Sequence, residues 1–165
     1  MGVPEPGPVI ELEIPARAEY VGLARLVMSS LATARRTLAE ERIDDLKLAV
    51  SEACTNAIEA HAHAEVDQEE RVTLRWSEGD DRLQVQIEDR GRGFDPGGLP
   101  AHPPVTDPER LNFERGLGIP LIRTLVDEVT FDPLAAGMSV RLVMFCGPAE
   151  DPDAEMPDDV VDEEA

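Results

Sequence analysis

The chain has 165 residues, with 35 acids against 15 bases, a formal net charge of -20, and a residue content that is 42% hydrophobic but only 4% aromatic. That length supports one domain with a core built mainly from Leu, Val, Ile and Ala, and excludes two full-sized domains. A surface this acidic repels nucleic-acid backbone and anionic membrane, so neither is expected as a partner.

Residues 1–8, with three prolines and two glycines, read as a loose leader. Residues 9–14 alternate, with Ile10, Leu12 and Ile14 on one face and Glu11 and Glu13 on the other, as a half-buried strand does. Pro15 stops it, and residues 19 to about 38 carry Val21, Ala24, Val27, Met28 and Leu31 at helical spacing. A second helix is expected from about residue 44, where acids suit a first turn, to about residue 60. Residues 71–76 and 82–87 form two strands around the turn Glu78-Gly-Asp-Asp81. Residues 95–115 are rich in proline, glycine and charge and read as a long loop with one short helix near 107–111. A helix over 118–126 follows, then strands near 128–131 and 139–145 around a turn at 133–137. From Glu150 onward the chain has nine acids, two prolines and no base, which is the composition of a disordered acidic tail.

Strands that cluster without alternating helices predict an α+β fold, a two-layer sandwich with a mixed, mostly antiparallel sheet and helices on one face. The expected division is a leader over 1–8, one domain over 9–148 and the tail over 149–165. Cys54 and Cys146, the only cysteines, read as structural thiols kept reduced in a cytoplasmic protein. No basic region followed by an apolar stretch opens the chain, and no run approaches the ~18 apolar residues of a membrane span. His61 and His63 have no further ligand close in sequence, so no metal site is read there.

Three short segments carry chemistry. Glu52 and Asn56, in Glu52-Ala-Cys-Thr-Asn56, stack one turn apart on the helix face opposite Leu46, Val50, Ala53, Ala57 and Ile58. An Asn carbonyl is a hard oxygen ligand suited to Mg²⁺, and a nearby carboxylate can take a proton from a hydroxyl attacking a phosphate. Asp89-Arg-Gly91-Arg-Gly93 ends the second hairpin strand; its glycines let backbone approach a ligand and its carboxylate can accept an exocyclic amine such as N6 of adenine. Gly116-Leu117-Gly118 opens the last helix, where free N–H groups and the dipole attract phosphate, and Arg115 just before it adds positive charge. Taken singly, these segments also fit a solvated helix face, a surface turn and a plain loop-to-helix junction. Walker A and Rossmann patterns are absent.

In order and spacing, the three segments resemble the N, G1 and G2 boxes of the Bergerat ATP-binding fold of the GHKL superfamily. The resemblance covers roughly residues 8–146. The run Leu48-Ala-Val-Ser-Glu-Ala-Cys-Thr-Asn-Ala-Ile58 is similar to the second helix of the RsbW-type and SpoIIAB-type anti-sigma-factor serine kinases. That family binds ATP and Mg²⁺, holds a sigma factor and phosphorylates a serine on a STAS-domain anti-anti-sigma protein. The resemblance implies Glu52 as catalytic base, Asn56 as Mg²⁺ ligand and Asp89 as adenine-binding aspartate. It implies Gly91, Gly93, Gly116 and Gly118 as lid hinges and phosphate contacts, and Arg25 as a contact to sigma factor and STAS partner. Ser139 takes the place of a Thr that supports the Asp–adenine bond, and a homodimer is compatible with the family. The acidic tail and the four prolines within residues 100–108 depart from the pattern. The alternative reading is a non-catalytic module that binds ATP only to select protein partners.

Overall fold

A computed structural model describes residues 8–35, 38–62, 70–89 and 118–147. Residues 1–7 of the leader, the long loop with the short helix expected near 107–111, and the acidic tail lie outside the described residues. Strand β1 (Ile10–Pro15) leads through a 3-10 turn (Ala18–Tyr20) into α1 (Val21–Arg35), and α2 (Glu40–Ala62) follows. The hairpin of β2 (Arg71–Glu78) and β3 (Arg82–Asp89) comes next, then α3 (Gly118–Leu125), β4 (Glu128–Pro133) and β5 (Met138–Phe145).

The five strands form one sheet in the order β1-β2-β3-β5-β4. All four pairings among the described residues are antiparallel, in keeping with the mostly antiparallel sheet of the expected α+β fold. The register places Leu74 opposite Ile87, and Val85 opposite Leu142. The alternating set Leu83, Val85 and Ile87 on β3, with Val140, Leu142 and Met144 on β5, is thereby buried on one face. Ala24, Met28 and Ala32 of α1 and Leu46, Val50 and Ala53 of α2 complete the same core. Trp76 is 2% exposed, and its indole N–H donates to Glu78 Oε1 at 2.9 Å, so the largest core side chain keeps no unsatisfied donor. The opposite face is polar: Arg75 pairs with Glu11 at 2.7 Å and with Glu88 at 2.8 Å across three strands.

The starts of the first two helices differ from the sequence reading. The first helix starts at Val21 because residues 18–20 wind as a tighter turn, with the Tyr20 N–H donating to the Arg17 carbonyl at 3.0 Å. The second helix starts a full turn earlier than expected. Glu40 and Glu41 supply the acidic first turn, and the Ile43 N–H donates to the Ala39 carbonyl at 3.1 Å. The β4–β5 turn closes through Leu134 N–H to the Gly137 carbonyl at 3.0 Å, and Gly137 takes φ 99°, which glycine adopts without strain. Among the described residues no helix is long and apolar enough to cross a membrane.

Candidate functional site

The site is built on α2. Leu46, Ala49, Val50, Ala53, Cys54 and Ala57 are buried, which fixes the rotation of the helix against the sheet. That rotation leaves Ser51, Glu52, Thr55 and Asn56 half-buried on the other side. The two hydroxyls are engaged by the helix itself: Ser51 Oγ donates to the Lys47 carbonyl at 2.7 Å and Thr55 Oγ1 to the Ser51 carbonyl at 2.8 Å. Glu52 and Asn56 remain as the side chains of the stripe that meet another element.

That element is α3, which lies antiparallel along α2. Its first residue, Gly118, is buried against both side chains. A Cβ atom on Gly118 would stand 2.9 Å from Glu52 Oε2, 3.3 Å from Asn56 Oδ1 and 3.4 Å from Asn56 Nδ2. A carboxylate, an amide oxygen and the N-terminus of a helix therefore share one spot. Helix N-termini present N–H groups and partial positive charge to anions, while carboxylate and carbonyl oxygens are hard donors for Mg²⁺. The donor set fits a metal-bound phosphate. Two of the three segments singled out in the sequence thus converge.

The third ends β3. Asp89 is 3% exposed and lies opposite Met138, continuing the inward row of Val85 and Ile87. A carboxylate at a buried strand end can accept a hydrogen bond from an amine. Ser139 departs from its expected role. It lies opposite Glu88, not Asp89, and its hydroxyl accepts from Gln86 Nε2 at 3.0 Å on the polar side of the sheet. The two-residue side-chain period puts it on the other face from Asp89, so its hydroxyl cannot support the Asp89 carboxylate directly. Gly91, Gly93, Arg115, Gly116 and Leu117 lie outside the described residues.

Residues 14–144 match the family model of the histidine kinase-like ATPase domain. The chain belongs to that family. Within it, the chain is similar to the serine-protein kinase RsbW of Bacillus subtilis strain 168, 43% identical over 124 residues that cover 73% of this chain and 75% of that one. RsbW of Bacillus licheniformis is 39% identical over 140 residues, covering 82% and 84%, and RsbW of Staphylococcus epidermidis is 41% identical over 139, covering 82% and 86%. These identities place the chain among the RsbW-type members of the histidine kinase-like ATPases. The crystal structure of the RsbU and RsbW domains of a Mycobacterium tuberculosis protein superposes with a TM-score of 0.60 at 19% identity, a likeness of fold. It covers 86% of this chain, and the chain spans 34% of that solved one.

Arg25 belongs to another helix. It is exposed on α1 beside Leu23 and Leu26, themselves 45% and 62% exposed. Sequence patterning did not single out these two leucines as a surface feature, because leucines at near-helical spacing read as core. Their mismatch with the buried set Ala24, Met28 and Ala32 was the available signal. The packing of Gly118 on Glu52 was also missed, since contact between α2 and α3 leaves no mark in either segment alone.

Proposed function

We propose that the chain is an ATP-dependent serine-protein kinase and anti-sigma factor that phosphorylates a STAS-domain anti-anti-sigma protein on serine. The observation that carries this reading is the meeting of Glu52, Asn56 and the α3 N-terminus at Gly118. In this reading Asp89 accepts the adenine amine and the backbone at the start of α3 receives the phosphates. Asn56 Oδ1 would ligate Mg²⁺, which neutralises phosphate charge when bound. The Glu52 carboxylate accepts the proton of the incoming serine hydroxyl as its oxygen bonds to the γ-phosphorus and the bond to ADP breaks.

Partner exchange follows from charge. A phosphoserine carries about -1.5 to -2 at neutral pH. Against a chain of net charge -20 it weakens the hold on the STAS product and frees the surface around Arg25 for sigma factor. A cytoplasmic location goes with these partners. The test is incubation with labelled ATP, Mg²⁺ and the STAS protein encoded in the same genome, followed by mass spectrometry of the product. Phosphoserine on the STAS protein is the expected result. Nucleotide binding without any transfer would replace this reading with the non-catalytic one.

A further inference from the structure

One residue in the first turn of α2 carries the wrong charge for its place. Glu40 and Glu41 suit the positive end of the helix, whereas Arg42 beside them is disfavoured there. Its guanidinium turns to α3 instead. Nη1 donates to the Leu125 carbonyl at 3.0 Å and to Asp45 Oδ2 at 3.1 Å, and Nη2 donates to Asp127 Oδ2 at 2.6 Å. Leu125 is the last residue of α3, where helix carbonyls lack intrahelical partners and negative partial charge collects. The same Asp127 oxygen accepts the Phe145 N–H at 2.7 Å, and the Asp127 N–H donates to the Val143 carbonyl at 3.0 Å. One side chain therefore ties the start of α2 to the end of α3 and to the end of β5.

Helix α3 touches α2 at both ends, through Leu125 on Arg42 and through Gly118 on Glu52 and Asn56. Eight residues span about 12 Å, so a displacement at one end carries to the other. Between the ends, Ile119 and Ile122 supply burial, which is non-directional and does not fix the helix along its axis. The planar fork of Arg42 is directional and does. We infer that Arg42 is a positioning residue, which sets α3 along α2 so that its Gly118 end stays against Glu52 and Asn56. This inference rests on the reading of that junction as the phosphate end of an ATP site. About a third exposed, Arg42 still engages Asp45 on its own helix, the Leu125 carbonyl at the end of α3 and Asp127 just beyond it.

The test compares the full chain with Arg42→Ala, Arg42→Lys and the control Lys47→Ala, which removes the exposed Lys47–Asp44 pair on the same helix. All are held at a temperature where circular dichroism shows them folded. Amide exchange in α3 reads the latch whatever the ligand, and it should quicken in Arg42→Ala but not in Lys47→Ala. Calorimetry should show Arg42→Ala binding ATP with Mg²⁺ about tenfold more weakly, the size of one lost charge-assisted hydrogen bond. Affinity for adenosine, which makes no phosphate contact, should stay unchanged. Arg42→Lys should fall between, because one ammonium cannot span Leu125 and Asp127. Unchanged α3 exchange, equal losses for ATP and adenosine, or full ATP affinity in Arg42→Lys would each overturn the inference. A wild-type chain that fails to bind ATP would sink the kinase reading, while α3 exchange would still decide the latch.

Discussion

Gly118 packs against Glu52 with no room for a side chain as the two stand: a Cβ there would sit 2.9 Å from Glu52 Oε2, closer than real Cβ contacts come. The start of α3 is thereby brought onto the polar stripe of α2. In the proposed reaction this would set a proton acceptor beside the groups suited to phosphate, within reach of the attacking hydroxyl.

Replacing Gly118 with Ala separates fold from chemistry. Its obstacles are the ends of the flexible Glu52 and Asn56 side chains, which can turn aside. The melting temperature should therefore stay close to native. The Glu52 carboxylate must move, however, and a displacement near 1 Å can cost about 100-fold in rate. Thermal melts and single-turnover transfer assays on Gly118→Ala should show this split. A variant with native transfer rates would mean that the contact has no part in the reaction.

Glu52→Gln keeps size and polarity but removes the proton acceptor. Transfer to the STAS serine should drop at least about 100-fold, the lower range for a general base, while ATP affinity stays near native because a base acts in the transition state. Asn56→Ala should instead weaken binding of ATP in the presence of Mg²⁺ more than in its absence. Titrations with and without the metal, beside a kinase assay, distinguish the two roles. A Glu52→Gln enzyme that still turns over normally would show that positioning alone drives the step.

Asp89 should decide which base is held. Its carboxylate is buried at the end of β3, and Asp89→Asn turns part of an acceptor into a donor. The expected loss of ATP affinity is about 1–3 kcal/mol, with the preference for ATP over GTP reduced or abolished. Competition titrations with both nucleotides measure it. Equal affinity of the native protein for ATP and GTP would remove Asp89 from base recognition.

The strands and the core were legible in the sequence because alternation is local: the Ile10, Leu12, Ile14 row and the buried face of α2 both follow from spacing. Elsewhere the local pattern was ambiguous or the deciding contact lay far along the chain. Asp44 and Asp45 carry the same acidic signature as Glu40 and Glu41, so the start of α2 was placed a turn late. The resemblance puts Ser139 in place of a Thr that supports the Asp–adenine bond, yet the register of β5 on β3 sets it opposite Glu88 and within reach of Gln86. Arg42 carried a weak signal, a cation in an acidic first turn, but its acceptors lie on α3 and beyond.

The partner face gives a further test. Arg25 is exposed beside Leu23 and Leu26 on a strongly acidic chain, and so offers a cation next to apolar surface. Arg25→Ala should weaken binding of both sigma factor and STAS protein by about 1–3 kcal/mol, as for a lost charge-assisted hydrogen bond. ATP affinity should be unaffected, because the side chains nearest Gly118 belong to α2. Pull-downs in which the variant holds both partners as firmly as the native chain would move the interface elsewhere.

Cys54 lies between Glu52 and Asn56 in sequence but faces the core, and burial pushes its thiol from 9.0 up to about 12. The thiolate is the reactive form, so iodoacetamide at pH 8 should label the half-buried Cys146 and leave Cys54 unmodified until the chain unfolds. The sign of the pH effect follows from the same shift. The folded pKa lies above the unfolded one, so the contribution to stability is complete below pH 9 and is lost as pH rises towards 12. Urea unfolding of native and Cys54→Ala protein between pH 8 and pH 11 measures this. Whatever offset the lost sulfur creates at pH 8, the native curve should fall relative to the variant as pH rises. Parallel curves would mean that the thiol ionises no less readily in the folded protein than in the unfolded chain.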